Sequence, residues 1–292
     1  MSRLTSVLLA VAVAFSAECS AGPATGTGQT GATHVLLTDA PFPYDQISRV
    51  DVYIERISAG VTVDTGGDGP GTIVAPHKRL NLLALSNGVV ADLGSGPLLT
   101  GSYVQVAITI NADSSSITLK DNTVLTSGHG INWLGPSVFT MVALTDPPIQ
   151  VTTQGAVVVI DFNLGRSFRP VNPADPAAGF EFIGYVAVLN TALTGSLRGA
   201  VTGAGGGPIL DASVTLLKKN PVYPADTATW GVFGTSRTDA AGTFQMPYVR
   251  PDTGYVLLVE APASSVYGGV ARAVTVTRGM DTQLGTMVAP LK

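Results

Sequence analysis

Two aspartates are the side chains of this sequence best placed to do chemistry. Asp39 follows a predicted strand, and Asp161 lies inside an apolar run. Two carboxylates about 5–10 Å apart can hydrolyse a glycosidic bond. Asp39 has a simpler role, because a carboxylate at the end of a strand can accept backbone N–H groups in a turn. Asp161 can instead form a structural ion pair with Arg166 or Arg169. We favour these structural roles and expect no catalytic residue.

The three histidines show no pattern of metal ligands. None of His34, His77 and His129 has a histidine, cysteine or carboxylate at zinc-site spacing. Asp64 and Asp68 lie in a glycine-rich loop that lacks the regular carboxylates of a calcium motif. The chain has no Gly-x-Ser-x-Gly elbow to activate a serine. We therefore expect no metal, no cofactor and no enzymatic activity.

Aromatic side chains are the candidate ligand contacts, because ring faces can stack on the C–H faces of sugars. Five of them lie in segments that we predict to be loops: Trp133, Tyr223, Trp230, Phe233 and Tyr267. Each of these rings, taken singly, is more simply explained as an anchor of a hydrophobic core. A shared exposed face would indicate a glycan-binding surface.

Cys19 is the only cysteine, and it ends a segment typical of a secretory signal. Arg3 precedes an apolar run at residues 7–15, which is too short for the roughly 20 residues that span a bilayer. A lipoprotein peptidase can cut before Cys19, or a signal peptidase can cut after Ala21. We favour the first and expect a signal peptide at 1–18, lipidation of Cys19 and a Gly/Ser/Thr-rich tether at 19–31.

The composition predicts a β-rich exported chain. The net charge of −4 argues against nucleic-acid binding, since no basic stripe is present to neutralise phosphates. The chain has 34 glycines, 19 prolines and many Val- and Thr-rich runs, which are typical of short strands joined by turns. After the signal and tether, enough residues remain for two domains.

Alternating apolar and polar positions predict strands along the first half. Residues 49–55 and 102–110 show this period of two, whereas 157–164 and 180–189 are more continuously apolar and predict central strands. The Gly94-Ser95-Gly96-Pro97 cluster predicts a turn, and residues 80–86 predict one short helix. The fold class is therefore all-β, with two β-sandwich-like domains in tandem at 32–194 and 195–292.

The second half contains six predicted strands and a motif with a family resemblance. The strands cover residues 197–201, 212–218, 242–248, 255–260, 271–277 and 284–289. The spacing of Gly199, Ala212-x-Val214-x-Leu216 and Thr238-Asp239-x-x-Gly242-x-Phe244 resembles the carboxypeptidase regulatory-like domain, a transthyretin-like sandwich. The resemblance implies a noncatalytic module in a fold shared with carbohydrate-binding domains.

Within that motif, Asp239 and Gly242 predict a tight turn. The Asp239 carboxylate can bond local backbone amides, and Gly242 can supply a positive φ. Phe244 should then point into the core, because strand side chains alternate between faces.

The first half resembles the bacterial domain family of unknown function numbered 4382. Matching stretches are LTDAP at 37–41, the strand at 50–54, LNLLAL at 80–85, the Leu99-x-Gly101-x-Tyr103-x-Gln105 motif and IDF at 160–162. Members of that family are exported proteins and lipoproteins, so the resemblance implies a β-rich surface domain and transfers no activity.

These observations predict an exported, lipid-anchored, noncatalytic cell-envelope protein with a binding or structural role. Its partners would be a membrane, through the N-terminal lipid, and a glycan or an envelope protein. The alternatives are a carbohydrate-binding surface protein and an unrecognised hydrolase. We expect the outer membrane or the cell surface as its location, with the periplasm or secretion as alternatives.

Overall fold

The computed structural model describes residues 28–39, 46–61, 71–85, 88–133 and 135–292. The predicted signal peptide, Cys19 and most of the predicted tether therefore lie outside the described residues, as do Asp64 and Asp68. The predicted tether extends too far at its end, because Thr30 and Gly31 already pair with the strand at residues 91–99.

The first half is built almost entirely of strands. They are β1 (Thr30–Thr38), β2 (Ile47–Gly60), β3 (Gly71–Val74), β4 (Lys78–Asn81), β5 (Ala91–Leu99), β6 (Gly101–Leu119), β7 (Val124–Ser127), β8 (Gly130–Asn132), β9 (Val138–Val151), β10 (Ala156–Phe162), β11 (Phe168–Pro170), β12 (Phe180–Phe182) and β13 (Val186–Asn190). A single helical turn, α1 (Leu164–Ser167), and 3-10 turns at Leu82–Leu85, Pro176–Ala178 and Thr191–Leu193 connect them.

These strands form two sheets around one core. The smaller sheet has the order β13-β10-β1-β5, with β10 parallel to β1. The larger sheet follows β11-β12-β8-β7-β6-β2-β3, and β4 and β9 also pair with β2 and β6. The apolar face predicted for β2 is confirmed, because Val50, Val52 and Ile54 are fully buried, but Asp51 on the other face is buried as well.

The second half forms its own pair of sheets. Its strands are β14 (Gly195–Gly203), β15 (Ser213–Lys218), β16 (Gly231–Arg237), β17 (Thr243–Val249), β18 (Asp252–Glu260), β19 (Gly269–Val276) and β20 (Asp281–Ala289), with a 3-10 turn at Thr227–Thr229. The sheets have the orders β17-β14-β20 and β16-β15-β18-β19. Side chains from both sheets share one hydrophobic core, as in a sandwich.

The all-β class is confirmed, but three local predictions are wrong. Residues 180–189 form two strands in different sheets, because Gly184 takes a φ of 62° between them. The Gly94–Pro97 cluster lies inside β5 and does not form a turn. Strand β5 is at the edge of its sheet, where a proline is tolerated because no neighbouring strand needs its missing backbone N–H group. The helix predicted near residue 83 is a single 3-10 turn.

The sheets of the two halves share no strand, and each half has its own core cluster. The 3-10 turn Thr191–Leu193 joins them between β13 and β14. The Arg278 guanidinium donates to the backbone carbonyl of Ala192 at 2.7 Å, which ties this turn to the second half. Independent folding of the two halves stays a prediction.

Candidate functional site

A pocket of about 400 Å³ lies beside Trp133 in the first half, and we call it the Trp133 pocket. It forms where the β7–β8 region meets residues 171–180, because β8 pairs in parallel with β12 and places Ile131 opposite Phe180. Its lining residues are Ser127, Gly128, Gly130, Ile131, Asn132, Trp133, Gly135, Val171, Ala178 and Phe180. No charged side chain is among these described lining residues.

The Trp133 indole is held in place by phenylalanine rings. The ring centroids lie 4.7 Å from Phe182, 5.7 Å from Phe168 and 5.9 Å from Phe139, and the Phe168 contact is edge-to-face. Tilted and edge-to-face contacts are the geometries that aromatic pairs prefer. Trp133 therefore belongs to the edge of the first core and gives the pocket a rigid aromatic wall.

The polar side chains of the Trp133 pocket have no protein partner among the described residues. The buried Trp133 Nε1 donor makes no hydrogen bond. The half-buried Ser127 hydroxyl and the exposed Asn132 amide make none either. Sequence reasoning missed Ser127 and Asn132, because only the pairing of β8 with β12 brings their loop into a pocket.

The second half has a larger, more polar groove on the outer face of the β17-β14-β20 sheet. It measures about 550 Å³, and we call it the second-half groove. Its polar lining is Arg198, Arg237, Asp239, Thr243, Gln245, Gln283 and Thr286. Strand alternation places the polar lining side chains of β14, β17 and β20 outward, since their neighbours along each strand face the core. Arg237 comes from β16 of the other sheet, and Asp239 comes from the connection into β17.

Most charged and amide groups of the second-half groove are already paired. Arg198 forms an ion pair with Asp281, which also accepts from the Gln283 amide at 3.3 Å and from the Ser196 hydroxyl at 2.8 Å. Arg237 contacts the Asp211 carboxylate at 2.9 Å. The polar lining of the groove is thus largely occupied by contacts within the protein.

At one end of this groove, Asp239 closes the connection into β17. Its Oδ1 accepts the backbone N–H groups of Ala241 at 2.9 Å and Thr243 at 2.8 Å. The Thr243 hydroxyl donates to Oδ2, and this bond is the main cause that holds the pKa of Asp239 below its usual range. Gly242 has a φ of 74°, a conformation that favours glycine. The predicted burial of Phe244 is confirmed, at 4% exposure.

Two of the predicted ligand-contact aromatics, Tyr223 and Trp230, lie on the β15–β16 connection, and a third, Phe233, lies near the start of β16. Tyr223 is 60% and Phe233 47% exposed, whereas Trp230 is half-buried. The Lys219 ammonium lies 5.4 Å from the Trp230 ring centroid, and that of Lys218 lies 5.9 Å from the Phe233 centroid. Phe233 belongs to β16, a strand that the sequence did not predict.

Tyr267 has a different role from these rings. It is half-buried against the second core, and a Cβ on Gly203 would lie only 2.1 Å from its ring. The ring therefore occupies the space that the glycine leaves. With Trp133 at the first core and Tyr267 packed on the second, the five predicted aromatics do not form one shared face.

Asp39 is buried and bonded to a distant segment. Its Oδ1 accepts the backbone N–H of Leu164 at 3.0 Å, the first residue of α1. Its own N–H donates to the Leu85 carbonyl at 3.2 Å. A carboxylate at a helix N-terminus satisfies a backbone donor that the helix leaves open. Asp39 thus ties β1 to α1, 125 residues away.

Asp161 lacks the ion pair that the sequence predicted. Arg166 instead lies 3.5 Å above the Tyr185 ring, and Arg169 pairs with Glu181. The Asp161 Oδ1 atom is buried without a hydrogen-bond partner among the described residues. Burial disfavours the charged form and raises the pKa of Asp161 to about 6. Neither Asp161 nor Asp39 lines the Trp133 pocket or the second-half groove.

The histidines occupy separate surface positions. His77 contacts Glu55 at 2.7 Å, and Asn111 donates to the other Glu55 oxygen at 2.9 Å. The Asn111 amide, followed by His77, holds the pKa of Glu55 below its usual range. His34 lies 3.6 Å from Asp92. Among the described residues, no three His, Cys, Asp or Glu side chains gather as a metal site, and no helix is suited to crossing a bilayer.

A family model, "Domain of unknown function (DUF4382)", matches residues 30–175, which is half of the chain. The chain belongs to this family. The match supports the resemblance noted for the first half, and the family's description gives no activity. The likeness of the second half to the carboxypeptidase regulatory-like domain stays a prediction. No curated protein sequence matches the chain.

Solved structures give only faint likenesses. The shaft pilin SpaA of Lactobacillus rhamnosus GG is 9% identical, with 90% of this chain and 98% of the pilin covered at a TM-score of 0.26. The 9R-lipoxygenase of Cyanothece PCC8801 is 13% identical, with 35% of this chain covered at a TM-score of 0.22. The 3-chlorocatechol 1,2-dioxygenase of Rhodococcus opacus 1CP is 12% identical, with 34% covered at 0.23. This chain spans 17% of the lipoxygenase and 60% of the dioxygenase. Such scores support no conclusion about function.

Proposed function

We propose that this protein is an exported, noncatalytic binding protein of the cell envelope, anchored to a membrane by a lipid on Cys19. The Trp133 pocket carries the binding part of this proposal. Its described lining includes the Trp133 ring, together with the Ser127 hydroxyl and the Asn132 amide, which have no protein partner among the described residues, and none of the described lining residues is charged. Pockets that combine apolar walls with a few free polar groups are typical of ligand sites.

The absence of catalysis is proposed on the roles of the candidate carboxylates. The Asp39 carboxylate accepts a backbone N–H group of α1. Asp161 is packed within the β13-β10-β1 strands and lines neither cavity. A general acid or base must come within hydrogen-bond reach of the reacting group. These two carboxylates therefore suit the structural framework better than a hydrolytic centre.

Binding can be tested with the chain's own tryptophans. The sequence contains only Trp133 and Trp230, so Trp230→Phe leaves Trp133 as the single tryptophan reporter. We expect a saturable change of its fluorescence with at least one ligand from a panel of neutral sugars, nucleosides and short peptides. The matched control is Trp133→Phe, in which the remaining Trp230 signal should stay constant. No response to any compound would contradict a binding role for this pocket.

Anchoring is tested separately. In a bacterial host supplied with radiolabelled palmitate, we expect the full chain to be labelled and to fractionate with membranes. Cys19→Ala should be unlabelled and released, whereas Ser20→Ala should behave as the unmodified chain. A mature protein that begins at Gly22 and carries no lipid would contradict the anchor.

A further inference from the structure

The chemistry of the Trp133 pocket limits the class of ligand that it can bind, and this inference rests on the proposed binding function. The pocket has no charged lining residue among the described ones, so it offers no compensation for burying a phosphate, carboxylate or ammonium group. Burying a charge without a partner is costly. The favoured ligand is therefore neutral.

The walls of the pocket require a ligand with an apolar face. The half-buried Trp133 ring contributes aromatic surface and the exposed Val171 contributes aliphatic surface, whereas the lining residues Ile131 and Phe180 are themselves buried. Trp133 is fixed by the Phe182 and Phe168 rings, so the aromatic wall is formed before any ligand arrives. A preformed wall lowers the ordering cost of binding.

The rim requires the same ligand to carry hydrogen-bonding groups. The Asn132 amide offers two donors and an acceptor, and the Ser127 hydroxyl can donate or accept. Neither group is used by the protein among the described residues. The Asn132 amide is exposed and the Ser127 hydroxyl half-buried, so both can exchange bonds to water for bonds to the hydroxyl groups of a ligand.

Size limits the ligand to one or two rings. The volume of about 400 Å³ lies near the lower end of the roughly 300–1,000 Å³ of small-molecule sites. Gly128 and Gly135 leave the wall without side chains beside Asn132. A longer polymer can therefore present one unit to the pocket while the rest of it stays in solvent.

We infer that the Trp133 pocket binds a neutral pyranose unit of a glycan. The apolar C–H face of the sugar packs on Trp133, and its hydroxyl edge bonds Asn132 and Ser127. The second-half groove is a weaker candidate, because its arginines and Gln283 are occupied by Asp281 and Asp211. The exposed Tyr223 and Phe233 surface is the competing place for a sugar, and the test separates the two.

The test titrates the tag-free full-length chain, carrying Trp230→Phe, with neutral disaccharides of glucose, galactose and mannose. Adenosine, a proline-rich tripeptide and a uronic-acid disaccharide are the comparison ligands. We expect saturation with a neutral disaccharide and a weaker response to the acidic one. Asn132→Ala should raise the Kd about tenfold, which corresponds to about 1.4 kcal/mol, and Ser127→Ala should raise it about threefold.

Controls separate the possible failures. Gln283→Ala in the second-half groove should leave the Kd within twofold, and thermal melts should show that each variant folds. Isothermal titration calorimetry of the chain with both tryptophans follows binding at any site. Sugar binding in that measurement that survives Asn132→Ala and Ser127→Ala but is lost in Tyr223→Ala or Phe233→Ala would move the site and overturn the inference. A response to adenosine or the tripeptide with none to sugars would overturn the glycan assignment while leaving the binding function intact. No response to any of these ligands would contradict both the glycan assignment and the proposed binding function.

Discussion

The two cavities differ in what their polar side chains already bind. In the second-half groove, Arg198 and Arg237 are paired with aspartates, and Asp239 accepts amides of its own turn. In the Trp133 pocket, the Asn132 amide and the Trp133 N–H have no partner among the described residues. In the larger cavity, the second-half groove, more of the polar side chains are therefore already ion-paired or hydrogen-bonded within the protein.

This difference shows that cavity size is a poor guide to a binding site here. A buried donor without a partner costs about 1–3 kcal/mol, whereas a made hydrogen bond contributes about 0.5–1.5 kcal/mol net. Ligand binding to the groove would have to displace existing bonds within the protein, whereas the exposed Asn132 amide of the pocket would exchange bonds to water for bonds to a ligand. The comparison therefore favours the pocket over the groove as the proposed site of recognition.

The largest predicted effect concerns Phe244, a lining residue of the second-half groove, and tests whether this residue stabilises the fold. The buried Phe244 ring packs against Gly199, where a Cβ would lie 2.9 Å from it. Phe244→Ala should destabilise the second half by about 3–5 kcal/mol, as deletion of a core aromatic does. Urea unfolding followed by hydrogen exchange of second-half peptides measures it. Phe233→Ala, at an exposed ring, is the matched control, and an equal loss there would contradict this view of the core.

The sequence predicted those parts of the fold in which local pattern and burial agree. The period of two in β2 follows from one buried face, and all six strands predicted for the second half are present. Strand β16 was missed because Gly231, Val232, Phe233 and Gly234 are not buried, so no alternation marks its first part. Gly184 ends β12 through a single positive φ, which the apolar run at 180–189 conceals.

The site was harder to predict than the fold, for a physical reason. Trp133 was named from its residue type, but Ser127 and Asn132 are ordinary polar residues of a turn region. Their position in a pocket depends on the pairing of Ile131 with Phe180, 49 residues away, which no local pattern shows. Likewise, Asp39 accepts the backbone N–H of Leu164, 125 residues away, which no local pattern shows.

The second prediction uses Asp161, the unpaired carboxylate of the first half. Because burial raises its pKa from 3.8 to about 6, the folded state favours the neutral form. The contribution of Asp161 to the free energy of unfolding is therefore fully present below pH 3.8 and is lost as the pH rises through about 6. Asp161→Asn should therefore stabilise the protein by up to about 3 kcal/mol at pH 8 and by almost nothing at pH 3.5.

Urea unfolding of the Asp161→Asn chain at several pH values measures this gain. The matched control is Asp113→Asn at an exposed position of β6, which should show no gain that depends on pH. A gain of the same size at acidic and alkaline pH would mean that packing, and not charge, limits stability at Asp161.

The smallest predicted effect concerns Asp239 in the second half, whose contribution to stability depends on pH in the direction opposite to that of Asp161. Hydrogen bonds from Thr243 and Ala241 lower the pKa of Asp239, so the folded state favours its charged form. Its contribution is present above the ordinary aspartate pKa and is lost as the pH falls through the lowered value. Asp239→Ala should lower the Tm at pH 7 by less than Phe244→Ala does, and the difference from the unmodified chain should vanish in acid.

Thr243→Val isolates the hydroxyl bond within the same turn and should reproduce part of the loss. Binding in the Trp133 pocket should be unchanged in both variants, because Asp239 closes a turn of the other half. A ligand affinity that follows Asp239 while the Tm stays constant would reverse the comparison. The groove would then be the recognition site, and its internal bonds would be those that a ligand displaces.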